Sequence, residues 1–410
     1  MSVKQNLPPV QKFRNVVVIP LLKKDADERQ ISGPIWPDWE TQISARHCRY
    51  GAPMDLCPSE PENIEIEVDE PLIWGGDMHE HFGHYISEYA SRILVSLKVD
   101  GKKKILFGCQ ALPLARTGLF GDAPDHFQQI TNWFGLPPER IMFCTETMRV
   151  SELWVMPQTE QIVDLHRPEH QLAVSDAYLD LLDENTRRNR LVPEEHETVF
   201  VSRGKLPIKL ERHGASEYLD TVLQKLGVFV YYPEENTLED QLAVYAGAKQ
   251  LIFVEGSSVH GMQLLGRVDC AVTILNRRMH ARMAKANIEP RCKSLNYIDS
   301  IEHIFLFRFP GEEIRYMSQR AVFDTEALIE SFKGIGLALG TYWDSQEYHS
   351  LLIEDLKSWI EENVNISIQR WNLIGDQSGL ILALEKAGFD EVSTFAKHLI
   401  QDALSKTPAS

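Results

Sequence analysis

Short apolar runs alternate with amphipathic stretches along most of this chain, and polar residues gather where the apolar runs end. In the second half the runs cover residues 198–201, 228–231, 250–254 and 270–275. The stretches between them, 216–225, 238–248 and 258–266, repeat apolar residues at helical spacing. Strands joined through helices of this length need right-handed crossovers and form a parallel sheet. The first half obeys the same rule less regularly. Strands are expected at 16–19, 71–74, 104–108, 141–144 and 153–156, and helices at 82–97, 122–134 and 173–190. Asp122 is the expected cap of the second of these helices, and Gly135 with Pro137-Pro138 ends it. A strand at 303–308 precedes a helical tail, expected at 324–337, 345–363 and in two further helices up to residue 404.

This order divides the 410 residues into four parts. Residues 1–70 form an irregular, proline-rich segment with one strand, packed on the first α/β unit. Residues 71–195 and 196–323 form two α/β units joined by the charged connection 191–197, and 324–410 form a helical region. Two such units facing each other leave a cleft, the usual place for a small-ligand site.

Composition is ordinary for a soluble enzyme, with 43% hydrophobic and 25% charged residues. A net charge of −17 argues against nucleic acid or an acidic membrane surface as the main partner. Positive charge is instead local: Arg203, Lys205, Lys209 and Arg212 face one acid, Glu211, within a single short stretch. The six cysteines form no C-x-x-C pair, which excludes a zinc ribbon or a redox motif. Cys109, Cys144 and Cys270 read as buried free thiols, while Cys48 and Cys57 are close enough in sequence to pair. Residues 1–14 carry no apolar signal core, and no run approaches the ~18 apolar residues of a membrane span. A cytoplasmic protein without an integral membrane segment is expected, with peripheral attachment at the inner membrane face allowed.

Three constellations carry candidate chemistry. The first is the histidine-rich run from Trp74 to Arg92. On a continuous helix His84, Glu88 and Arg92 share one face, and Glu88 can fix the tautomer of His84 as a general base, with Asp77 in reserve. An ordinary surface ladder has the same spacing. His79-Glu80 is followed by Gly83 where H-E-x-x-H requires histidine, and His79, His81 and His84 converge on zinc only through an irregular backbone, so no metal is expected. The second is the strand end Ser202-Arg203 with Lys209 and Arg212, whose forked guanidinium groups suit a diphosphate. The third is Glu255-Gly256-Ser257-Ser258, where glycine admits a ligand close to the backbone, serines begin a helix, and Glu255 is placed to hold a sugar hydroxyl. No P-loop or G-x-G-x-x-G lies at a strand end. The Gly-Ser-Ser turn is not a nucleophile elbow.

In order and spacing these pieces resemble glycosyltransferase family 61 over about residues 72–278. The resemblance rests on Gly83-His84 with Glu88 and Arg92, then Ser202-Arg203, Arg212, Glu217, Gly227-Val228, Pro233-Glu234, Gln241, Ala248 and the loop Glu255-Gly256-Ser257-Ser258. Eukaryotic members usually carry a histidine in that last loop. Here the histidine, His260, comes later, closer to the bacterial form. The resemblance implies an α/β fold of two Rossmann-like domains facing a cleft, the B type of glycosyltransferase, with acceptor on the first and donor on the second. It implies an inverting transfer from a nucleotide-diphosphate sugar to a saccharide or glycan acceptor in surface polysaccharide synthesis, with no cofactor and no required metal. His84, Glu88 or Asp77 would serve catalysis. Arg203, Lys209, Arg212, Gln241, Glu255, Gly256, Ser257 and Ser258 would bind the donor. Analogy with such folds lays the helical tail back across the first domain. Two other functions fit the same scaffold. One is a polysaccharide pyruvyl transferase-like enzyme, whose histidine-glycine pair is similar to His260-Gly261, and the other is a non-catalytic glycan-binding or assembly protein.

Overall fold

Alternate residues of the second-half strands enter two different cores in the computed structural model, which describes residues 7, 9–24, 30–109, 114–162, 174–311 and 319–406. Val199, Val201, Leu251, Phe253, Val272 and Ile274 face one core, and Phe200, Ile252, Val254 and Leu275 face the other. A strand buried on both faces reads as a continuous apolar run, which is why these three were legible. Among the described residues the strands form one five-stranded parallel sheet, in the order Phe229–Tyr231, His196–Val201, Ala248–Val254, Ala271–Leu275 and Ser294–Ile298. In chain order that is 2-1-3-4-5, a doubly wound arrangement whose order reverses between the first and third strands.

The first half builds a second, seven-stranded sheet. Leu72–Met78, Ile105–Cys109 and Ile141–Cys144 run parallel, and Met148–Val155 joins the other edge of Leu72–Met78 in parallel. Gln11–Lys24 and Gln30–Pro34 extend it antiparallel. Val16, Val18, Trp36 and Ala45 cover its outer face. Its inner face, with Ile73, Ile105, Phe107 and Phe143, shares one continuous core with Val199, Phe253 and Ile274 of the other sheet. The result is a mixed α/β molecule in which the two sheets are joined by apolar packing as well as by the chain.

Several expectations are corrected. The strand at 71–74 does not stop at Gly75-Gly76 but continues to Met78 through a bulge, with Gly76 at φ 87. The helix expected from Asp122 begins at Asp125, because Pro124 drives Ala123 into the extended region at ψ 150. Ser257–Leu264 winds as a 3-10 helix rather than an α-helix. The tail helices Ser345–Trp371, Ser378–Lys386 and Asp390–Lys406 do not lie across the first half. Leu352, Leu356, Trp359, Val364, Leu384 and Val392 cover the outer face of the second-half sheet, where Phe200, Ile252 and Val254 need an apolar partner. Cys48 and Cys57 are free thiols. Ala173, the expected start of the polar helix now seen as Asp176–Arg188, lies outside the described residues, as do residues 1–6. No described helix is long and apolar enough to cross a membrane.

Candidate active site

The carboxyl ends of the second-half strands finish level with one another. The Ser202 amide donates to Tyr231 carbonyl at 2.9 Å, Glu255 to Leu275 at 2.9 Å and Asn276 to Ile298 at 3.0 Å. Three polar turns, at Ser202-Arg203, Glu255-Gly256 and Asn276-Arg277, therefore share one edge beside the point where strand order reverses. Ligands of open α/β sheets bind at that point. A cavity of about 1070 Å³ opens there. His81, Gly83, His84 and His126 come from the first half; Arg203, Gln241, Gly256, Ser257, Ser258, His260, Arg277 and Arg278 come from the second.

His84 stands at the start of the helical stretch Phe82–Val99, whose middle, Tyr85–Ala90, is wound as a π-helix. The wider turn leaves His84 and Glu88 in contact, with Nδ1 2.9 Å from Oε2, but swings Arg92 off their face. This corrects the expected three-residue ladder. Arg92 is buried and donates to the carbonyls of Met156 and, at 2.9 Å, Arg46. The cation on Glu88 is instead Arg49, whose fork meets both carboxylate oxygens at 2.6 and 3.0 Å. His47 adds a contact at 3.5 Å. Burial alone would raise the Glu88 pKa, but hydrogen bonds from His47 and His84 and the charge of Arg49 hold it well below the usual carboxylate range. An ionised Glu88 requires the proton of His84 on Nδ1, although Arg49 Nη2 lies 3.3 Å from that nitrogen. Nε2 is then the ring nitrogen left free of Glu88, on a residue that lines the cavity.

Asp77, the reserve base, does not reach this cavity. It is buried against a separate cavity of about 20 Å³ with His47, Asp55, Tyr89 and Arg92, a space for a single water.

Arg203 follows its strand directly. Nε and Nη2 donate to the Glu211 carbonyl at 3.3 and 3.1 Å, and Nη1 lies against Gly256, where any Cβ would collide with it. Burial and the neighbouring Arg277 lower its pKa to about 10, so it stays charged at neutral pH. Behind it, Ser202 Oγ donates to Asp220, as does Tyr232 Oη at 3.0 Å, and burial raises the Asp220 pKa from 3.8 to about 6 against those bonds. A folded-state value above the unfolded one means stability that is full below about pH 4 and lost as pH rises through 6. Asp220→Asn should therefore flatten the pH dependence of unfolding free energy between pH 4 and 7, removing a change on the order of 2–3 kcal/mol. Urea titrations across that range check it, and an unchanged slope would remove Asp220 as its source.

Glu255 is corrected from ligand contact to scaffold. Fully buried, it accepts from the Arg277 amide at 2.7 Å, the Arg278 amide at 3.0 Å and Arg278 Nε at 2.7 Å. Two unexpected cations therefore line the cavity, each already paired with a carboxylate: Arg278 with Glu255, and Arg277 with Glu211 while its Nε donates to the Glu255 carbonyl at 2.6 Å. Asn276-Arg277-Arg278 follows the fourth strand as Ser202-Arg203 follows the first, a signal available in the sequence. Arg49 had none, because its partner is distant in the chain.

Arg212 and Lys209 are corrected as well. Lys209 is exposed and does not line the cavity. Arg212 is buried, donates to the Gly204 and Leu206 carbonyls at 2.6 and 3.4 Å, and meets Asp355 of the tail at 2.7 Å. Arg320 donates to the Leu210 and Ile208 carbonyls at 3.0 and 2.6 Å and lies 3.1 Å from the same Asp355. The loop 204–211 is thus wrapped around two guanidinium groups, which fixes the cavity wall at Leu206, Leu210 and Glu211. Asp355→Asn, by removing the shared anion, should cost about 3–5 kcal/mol of stability and open the loop to trypsin at the exposed Lys205 and Lys209. Wild-type protease resistance in that variant would show that the carbonyl bonds alone hold the loop.

Among the described residues no group of three metal-capable side chains is assembled. Compared with known proteins, the chain matches no protein-family model and no curated protein.

Proposed function

We propose that this protein is an inverting glycosyltransferase that moves a sugar from a nucleotide-diphosphate sugar to a glycan acceptor. The observation that carries it is that His84, Arg203 and the Gly256–Ser258 turn line one cavity of about 1070 Å³. That volume suits a donor and part of an acceptor together.

In this mechanism the acceptor hydroxyl lies against His84 Nε2, which takes its proton as the oxygen attacks the anomeric carbon. The imidazolium that forms is stabilised by Glu88 at 2.9 Å, itself held by Arg49. On the other side of the sugar the departing diphosphate meets Arg203, with Arg277 and Arg278 adding positive potential and the turn at Gly256 admitting close approach. Attack on the face opposite the leaving group inverts the anomeric centre. The pocket would operate at the cytoplasmic stage of surface polysaccharide synthesis, with glycan as partner and no cofactor.

Titration of the full-length protein with nucleoside diphosphates, their hexosyl esters and phosphoenolpyruvate tests this. Saturable binding of a nucleoside diphosphate, and turnover of its sugar ester with a saccharide acceptor, are expected. Binding of phosphoenolpyruvate alone would transfer the site to a pyruvyl donor, and binding of none would leave a non-catalytic scaffold.

A further inference from the structure

We propose that His260 is the hydroxyl-reading group of this cavity, a neutral imidazole whose free nitrogen only accepts and so binds an uncharged hydrogen-bond donor of the ligand rather than its phosphates. This rests on the donor assignment above and adds to it the place where the sugar is recognised.

The side chain sits at the seam between the two halves. Its ring lies so close to Gly83 that a Cβ there would come within 2.9 Å of His260 Cδ2. Only glycine lets the histidine helix approach the turn this closely, so His84 and His260 flank one region. The 3-10 winding of Ser257–Leu264 brings residues three apart onto one line, and His260 Nδ1 meets Gln263 Oε1 at 2.6 Å.

The proton on that ring is determined by its neighbours. Gln263 gives its amide nitrogen to Glu160, whose carboxylate is also bound by Arg291 and by Asn287 at 3.3 Å. An amide has one donor end and one acceptor end, so the end facing His260 accepts and Nδ1 must donate. Ser87 Oγ, 3.0 Å from the same Nδ1, gives its hydrogen to the Gly83 carbonyl and cannot supply one. Burial lowers the His260 pKa to about 4, assisted by the nearby His84 and His81, so a second proton is not taken up near neutrality. Nε2 therefore carries a lone pair.

Among the described residues nothing donates to Nε2, although His260 is 7% exposed and lines the cavity. That nitrogen is reached by solvent in the cavity, and a ligand hydroxyl or amide N–H can take the place of water on it. A phosphate oxygen has no hydrogen to give and is repelled. The arginines and His260 thus select opposite chemistry, an anion and an uncharged hydrogen-bond donor.

The test compares uridine, guanosine, cytidine and thymidine diphosphates with their hexosyl esters by calorimetric titration, using the pair that wild-type protein binds best. His260→Ala should keep the affinity for the diphosphate within about threefold and weaken the hexosyl ester about tenfold. His260→Gln, which retains an acceptor, should restore most of the difference. Equal loss on both ligands, or no loss, overturns the proposal while the donor assignment stands. A wild-type protein that binds no diphosphate and no ester overturns both. Should His260→Ala fail to fold, ¹⁵N-imidazole NMR of the wild type, with His260→Gln to identify the resonance, decides instead. A proton on Nδ1 is expected, and one on Nε2 overturns the proposal.

Discussion

Arg203→Ala is expected to weaken nucleoside diphosphate binding roughly 100-fold, a loss of about 3 kcal/mol, while the protein stays folded. The side chain is anchored through Nε and Nη2 to a single carbonyl, Glu211, and presents Nη1 beside Gly256. Its removal costs two hydrogen bonds in the free protein, but in the complex it removes a partly desolvated charge at the strand end where a diphosphate would sit. Arg277 and Arg278 remain, held by Glu255, so binding weakens rather than vanishes. Arg203→Lys keeps a charge and loses the fork, and should fall between the two. Gly256→Ala should reproduce much of the loss with the arginine still in the sequence, because the new methyl displaces Nη1. Affinity for nucleoside diphosphates unchanged within twofold in Arg203→Ala would end the phosphate role and, with it, the donor assignment.

His84→Ala is expected to lower turnover by 10² to 10⁴ with donor affinity retained, the signature of a base that acts in the chemical step. Full activity would remove the assignment. Glu88 tests the same dyad from behind. Glu88→Gln keeps the shape but leaves Arg49 partly buried without its anion, which should destabilise the fold by about 3–5 kcal/mol. The double change Glu88→Gln with Arg49→Met removes both charges; it is expected to fold and to turn over slowly, since His84 then lacks the group that fixes its proton. Acid should act on wild type through the same carboxylate. Its folded pKa lies below the ordinary 4.5, so its stabilising contribution is present above that value and is lost as pH falls through the lower folded one. A double variant with wild-type kcat would show that His84 needs no partner.

Much of the fold and part of the site were legible along the chain. Val199-Phe200-Val201 and Leu251-Ile252-Phe253-Val254 read as strands because both their faces are buried. The residues just after them, Arg203 and Gly256–Ser258, are placed by where strands of a parallel sheet end. Ile66–Val68, three residues long, and Gln319–Phe323, which opens on the buried polar pair Gln319-Arg320, left no comparable trace, and their parallel partners Met148–Val150 and Arg212-His213 are distant in the chain. Local spacing also misassigned charges. An unbroken α-helix would put Arg92 on the face of Glu88, and the π turn moves it away. Its charge and its place beside Arg203 suggest a ligand for Arg212, whereas Asp355, far along the chain, claims it.

The sequence by itself determined the strands buried on both faces, their alternation with helices, and which polar groups stand at their ends, since each is a matter of period and near neighbours. Only the tertiary structure decided which cations face the cavity and which are consumed inside the protein. A guanidinium is assigned by the carboxylates and carbonyls that surround it in space, and those of Arg49, Arg212 and Arg277 are brought together by folding over separations that no local pattern records.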